Sequence, residues 1–303
     1  MIGRLTTAVV FISATLFSIP VYAESWQSSL APTAETEPVP PAKQDLESVP
    51  KAAGSAVESP NLRYFQDYFI DTGRILTAPL HWETKEWVKL GLVLGTTSTL
   101  FLVDEKVKDF AQSNQSSAAA KFASVGNFVG DPLYLYPSLG SFYLYGYLAK
   151  DSKARRASLL AMESLTITGV FTAGLKMLAS RHRPNSGHSP TDWDGPGFST
   201  EYVSFSSGHT ASAFAVATVF ADEYKDNAFV PPIAYGLATL TGLSRIYSNE
   251  HWSSDAFFGG ALGYAVSQAV LRFHKKDDKL GNRLSIIPEV GKEMTGLTVN
   301  YQF

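Results

Sequence analysis

From about Asn61 onward, apolar residues recur along this chain at spacings of three and four, and simple alternation appears only near its end. That pattern predicts helices over 62–76, 85–110, 132–149, 152–181, 209–224, 230–247 and 252–274, with Pro184 closing the fourth. Leu284 to Val290 and Gly296 to Phe303 alternate around a polar turn, which predicts a hairpin. The expected fold is therefore all-α, a bundle of about six to seven helices followed by a short C-terminal β-hairpin. Gly259, Gly260 and Gly263 would let the last helix approach its neighbours closely. Glu163 interrupts an apolar stretch and either faces solvent or is the buried partner of a basic group.

Composition sets the outer boundaries. Residues 1–23 carry Arg4, an apolar run and a small-residue ending at Val21-Tyr22-Ala23, the pattern of a secretory signal cleaved after Ala23, with an uncleaved anchor as the alternative. Residues 24–60 are rich in Pro, Ala, Ser, Glu and Thr and read as a disordered linker, since they cannot bury enough surface to offset ordering entropy. Residues 61–278 then form the helical domain and 279–303 the hairpin. The chain has no cysteine, which excludes disulfides and lipid attachment through a lipobox.

Three short segments concentrate the chemistry. Lys176 and Arg183 lie seven apart, close to two helical turns, and would project from one face; Pro184 pushes Arg183 out of helical geometry at the helix mouth, its guanidinium free to fork around a phosphate. Ser206-Ser207-Gly208-His209-Thr210 precedes an apolar run and reads as a helix N-terminus with a hydroxyl cap. Its unpaired N–H groups and the open approach at Gly208 make Ser207 and Gly208 candidate phosphate ligands, with His209 beside them. His251 and Asp255 stand four apart, as a carboxylate orienting an imidazole would, and Arg245 adds a second guanidinium. Gathering Lys176, Arg183 and Arg245 without an anion between them would be costly.

Together, Lys-x6-Arg-Pro, Ser-Gly-His and Ser-Arg-x5-His-x3-Asp resemble the motifs of the type-2 phosphatidic acid phosphatase superfamily, which includes lipid phosphate phosphatases, bacterial class A acid phosphatases and vanadium haloperoxidases. The resemblance covers about Ala157 to Val270, and Ser206 stands where the family usually has proline. It implies a helical bundle with the three motifs meeting at one end. It also implies a phosphatase acting on phosphomonoester or pyrophosphate bonds of a lipid phosphate or small soluble ester, and the N-terminal signal pattern makes it an exported one. His251 would be the nucleophile that forms a phosphohistidine, oriented by Asp255, with His209 as general acid and Lys176, Arg183, Arg245, Ser207 and Gly208 binding phosphate. No cofactor is implied, and no metal: along the sequence His81, His182, His188 and His274 show no ligand spacing with nearby acids. A vanadium-dependent haloperoxidase and a non-catalytic envelope anion-binding protein are the alternatives.

The long segment from Asn185 to Phe205, with Trp193, Phe198, Tyr202 and Phe205, is a candidate lid or a packed loop. The expected partner is a phosphorylated small molecule or lipid, a membrane surface is a candidate contact, and nucleic acid is not expected. The helices read as short for spanning, while the stretches from Leu133 to Tyr147 and from Ser158 to Leu178 would sit comfortably near lipid. With a formal charge of -3 and mean hydropathy near zero, the location expected is the periplasm or cell envelope, with an integral membrane protein as the alternative.

Overall fold

The computed structural model describes residues 59–197, 203–290 and 295–301, so the expected signal segment, nearly all of the linker, and Phe198 and Tyr202 of the long loop lie outside the described residues. Among the described residues there are nine α-helices rather than six or seven: α1 (Leu62–Thr77), α2 (Thr84–Phe101), α3 (Asp104–Ser113), α4 (Ser117–Gly130), α5 (Pro132–Leu148), α6 (Ser152–Ala179), α7 (Gly208–Glu223), α8 (Val230–Tyr247) and α9 (Ser253–Arg283). Strand β1 (Leu284–Val290) pairs antiparallel with β2 (Thr295–Tyr301), Leu284 opposite Tyr301. The last helix thus runs past the expected boundary at 278.

Helix starts follow side-chain capping. Asn61 accepts from the Tyr64 amide at 2.9 Å, Ser116 from Ala119 at 3.2 Å, Asp131 from Leu133 at 2.9 Å and Asp151 from Ala154 at 3.0 Å, each satisfying an amide that the helix itself leaves unpaired. Helix α6 is the centre of the bundle. Its first half is buried nearly all round, including Leu159, Leu160, Leu165 and Ile167. These pack with Tyr64 of α1, Leu139 of α5, Val219 of α7, and Val266, Val270 and Leu271 of α9. The glycines of α9 act as expected: a Cβ on Gly263 would lie 2.1 Å from the Ala211 carbonyl oxygen, and one on Gly259 2.5 Å from that of Ser207.

Two departures from the sequence reading have physical causes. Helix α4 was hidden because Gly126 and Gly130 weaken its helical signal. Both are required by contact with α8, where added Cβ atoms would meet the Leu240 carbonyl oxygen at 2.7 Å and Thr241 Cγ2 at 2.2 Å. The helix predicted over 85–110 breaks into α2 and α3, bent by 58°. The break turns Asp104 inward, where it is 1% exposed and accepts hydrogen bonds from the Ser253 hydroxyl (2.6 Å), the Ser254 amide (2.9 Å) and Arg181 Nη2 (2.8 Å).

Among the described residues, one helix, α6, is long and apolar enough to cross a membrane, or there are up to two spans if the bent α2–α3 pair counts as one. The outer faces are widely apolar: Phe65 and Phe69 of α1, Leu92 of α2, Leu133 and Leu148 of α5, and Ile233 of α8 are all exposed.

Candidate active site

The three motif segments converge where α6 ends, α7 begins, α8 ends and α9 begins. Helix α6 stops at Ser180, whose left-handed backbone (φ 44°) turns the chain while its amide still bonds the Lys176 carbonyl at 2.9 Å. That turn sends Arg181 into the interior and Arg183 toward α8. Lys176 Nζ donates to the Val203 carbonyl at 2.7 Å, which fixes the strand of chain leading into α7.

His251 is 3% exposed. Its Nδ1 lies 3.9 Å from Asp255 Oδ2, too long for the direct hydrogen bond expected from their spacing. The Ser204 hydroxyl stands between them, 2.5 Å from Asp255 Oδ2 and 3.3 Å from His251 Nδ1. A serine that donates to the carboxylate accepts from Nδ1–H, so the relay holds the tautomer that leaves Nε2 unprotonated. Asp255 is itself saturated by the Trp252 amide at 3.1 Å and Arg181 Nη1 at 2.5 Å. Burial pushes its carboxyl above the ordinary range, opposed by Arg181 and Ser204. Burial holds the His251 ring well below the ordinary imidazole value, with Lys176, Arg245 and Arg183 acting in the same direction. Its resting form is therefore neutral, as a nucleophile requires.

His209 occupies the first turn of α7, partly buried, with Nε2 at 3.7 Å from Asp131 Oδ2. Burial, then the Arg245 guanidinium, lowers its pKa to about 4. Ser207 is the N-cap of α7, but its hydroxyl makes no capping bond and pairs instead with Thr210 Oγ1 at 2.8 Å. The expected hydroxyl cap is thus absent, because the side chain turns to a neighbouring hydroxyl, and the first-turn amides from Gly208 onward stay free of it.

Arg245 is held by Asn127 Oδ1 at 2.9 Å and lies 3.3 Å from Glu250 Oε2, which also pairs with Arg183 Nη1. Buried Nε atoms of Arg183 and Arg245 donate to no group among the described residues. The structure therefore brings Lys176, Arg183, Ser207, Gly208, His209, Arg245, His251 and Asp255 to one end of the bundle.

Sequence reasoning missed Ser204, Arg181, Asp104, Asn127 and Glu250. Arg181 is fully buried between the rings of Phe101, Trp193 and Trp252, with its carbon Cζ 4.7, 5.1 and 5.4 Å from their centroids. It binds Asp104 and Asp255 together. The detectable signal was its place inside the first motif; Asn127 had none, lying on the overlooked α4. The long loop packs at least in part, with Trp193 against Phe101 and Phe205 against Phe258. His182 stacks on His188 and pairs with Asp194 at 3.0 Å, at the rim.

A family model described as the PAP2 superfamily matches residues 157–279. A lipid A 1-phosphatase of Porphyromonas gingivalis is 33% identical over 186 residues, 61% of this chain and 38% of that protein, so the match spans well under half of the relative. Among solved structures, Aquifex aeolicus LpxE is 22% identical with a TM-score of 0.45, covering 56% of this chain and 95% of its own. A transmembrane PAP2-type phosphatidylglycerolphosphate phosphatase from Bacillus subtilis is 20% identical with a TM-score of 0.47, covering 71% and 95%. All three motif segments fall inside residues 157–279, the stretch of this chain that is similar to the PAP2 superfamily.

Proposed function

We propose that this chain is a phosphatase that removes phosphate from a lipid phosphate or pyrophosphate at a membrane surface of the cell envelope. The observation that carries the reading is the pair of guanidiniums of Arg183 and Arg245, whose buried Nε donors have no partner among the described residues and which flank two imidazoles that are neutral in the free protein. A phosphate oxygen supplies the missing acceptors, and positioned cations stabilise charge spreading over the equatorial oxygens as the ester bond breaks. His251 Nε2 attacks phosphorus and the ester oxygen departs, protonated by His209, which takes up a proton when the bound phosphate offsets Arg245. Water then cleaves the phosphohistidine, with His209 as base. Lys176 and the free amides at Gly208 complete the cage.

Lipid as the carrier of the phosphate is supported by the apolar outer faces of α1, α2, α5 and α8, exposed over an extent unusual for a protein surrounded only by water, and by the similarity to a lipid A 1-phosphatase. The test is phosphate release by the purified chain from a phosphorylated lipid in mixed micelles beside a soluble monoester, without added metal. Release from the lipid, lost in His251→Ala, is expected, together with an acid-labile, alkali-stable phosphoryl label on the unmodified chain. Halide oxidation dependent on vanadate, with no phosphate release, would overturn the reading.

A further inference from the structure

Asp71 of α1, Glu163 of α6 and His274 of α9 come from three distant parts of the chain and meet inside the bundle. Side-chain exposures are 2%, 0% and 5%. His274 Nε2 is 2.9 Å from Glu163 Oε2 and 3.6 Å from Asp71 Oδ2, and all three ligand atoms lie within 4.8 Å of one another. The absence of ligand spacing along the sequence was therefore no guide to their arrangement in space. Along α6 this point is thirteen residues from Lys176, or about 20 Å at the helical rise, so it is remote from the phosphate cage.

An ordinary ion pair does not satisfy this cluster. One ring nitrogen carries one proton, which serves Glu163 and leaves Asp71 Oδ2 beyond hydrogen-bond distance. Among the described residues, nothing donates to Asp71 Oδ2 or to Glu163 Oε1, although both are buried. Arg74 occupies only the other Asp71 oxygen, at 3.1 Å, and shares itself with Asp277 at 3.2 Å. Buried carboxylate oxygens without donors are costly. A cation at the crossing of the three ligand atoms would take up Asp71 Oδ2 and neutralise both carboxylates, and donor separations of 2.9 and 3.6 Å bracket the roughly 3.4 Å expected between ligands about 2.0–2.1 Å from a tetrahedral ion.

We propose that Asp71, Glu163 and His274 form a three-ligand site for a divalent transition-metal ion, which ties α1 to α6 and α9. One imidazole and two carboxylates suit zinc, whose charge the two carboxylates neutralise. The ion binds as the ring nitrogen loses its proton, so binding weakens in acid. Its role is structural: α1 places only Tyr64 and Asp71 in the buried interior, and the metal supplies the anchorage that this short buried face lacks.

The full chain, purified in detergent and stripped with chelator, should take up one equivalent of Zn²⁺ and show a Tm raised by about 5–10 °C at a hundredfold excess over Kd. Co²⁺ substitution should give the visible absorption of a low-symmetry, four- or five-coordinate ion. Asp71→Asn and Glu163→Gln, which preserve shape, should each weaken Zn²⁺ binding at least tenfold, while His251→Ala, disabled in the phosphate cage, should retain it. Lys275→Ala, beside His274 and paired with Asp222 on the surface, is the control that binds normally. Zn²⁺ that leaves Tm unchanged, or that binds equally well to the Asp71→Asn, Glu163→Gln double variant, overturns the proposal. Loss of binding in His251→Ala alone would assign the metal to the phosphate cage and overturn it as well.

Discussion

Ser204→Ala isolates the link between His251 and Asp255. The backbone at this position is anchored independently, the Ser204 amide bonding the Arg181 carbonyl at 2.7 Å and the neighbouring Val203 carbonyl accepting from Lys176. Alanine should therefore keep its place and lose only the hydroxyl. Without it, His251 Nδ1 and Asp255 Oδ2 are left 3.9 Å apart, and the imidazolium character that develops on the ring as Nε2 bonds phosphorus loses its acceptor. A hydrogen bond to a charged group contributes about 1.5–3 kcal/mol, and tenfold in rate corresponds to about 1.4 kcal/mol. The expected loss in kcat is thus about 10- to 100-fold, with KM little changed, because the hydroxyl is engaged with His251 and Asp255 rather than with the arginine cage. Steady-state phosphate release from a micellar lipid phosphate measures both constants. Ser204→Thr, which keeps a hydroxyl, should recover most of the rate, and Asp255→Asn should lose more than Ser204→Ala. If Ser204→Ala turns over within about twofold of the unmodified chain while Asp255→Asn is inactive, the two residues pair directly in the working enzyme and the relay is wrong.

Three further outcomes follow from the same geometry. Glu250→Gln removes the carboxylate shared by Arg183 and Arg245, and competition assays should show inorganic phosphate inhibiting about 5- to 30-fold more strongly, as expected for lifting about 1–2 kcal/mol of local repulsion in a partly screened site; weaker inhibition would mean that Glu250 chiefly orients the arginines. His209 titrates near 4 in the free protein, lowered by burial and then by Arg245. An anion that offsets Arg245 raises it, so sulfate binding near pH 6 should take up protons and strengthen as pH falls from 8 toward 5, which calorimetry in buffers of different ionisation enthalpy reads directly; net proton release contradicts the assignment. Gly263→Ala places a Cβ 2.1 Å from the Ala211 carbonyl oxygen and should cost about 3 kcal/mol, lowering Tm by about 6–12 °C, whereas Gly236→Ala, with nothing within 4 Å of the added atom, should leave Tm unchanged or slightly raised.

Much of the fold and the cage was legible along the chain. Helical periodicity marked α1 and α5 to α9 to within a few residues except for the long extension of α9, because each buries an apolar face against its neighbours. The motif residues were legible because their chemistry is tied to local spacing: Lys176 and Arg183 over two turns, His209 in the first turn of α7, and His251 and Asp255 four apart. What tertiary structure decided were the relations that spacing cannot encode. Ser204 intervenes between His251 and Asp255 because a loop fixed by Lys176 passes there. Asp104 and Asp255 share Arg181 because the α2–α3 bend turns one acid inward. Gly126 and Gly130 form a helix against their own propensity because α8 leaves no room for a side chain. Glu163 was undecided from its apolar neighbours alone, since a lone acid on a buried helix reveals its partner only when α1 and α9 bring Asp71 and His274 to it. Periodicity and local motifs are short-range properties of the chain, whereas the pairing of buried charges depends on which helices cross, and that is set by the packing of the whole bundle.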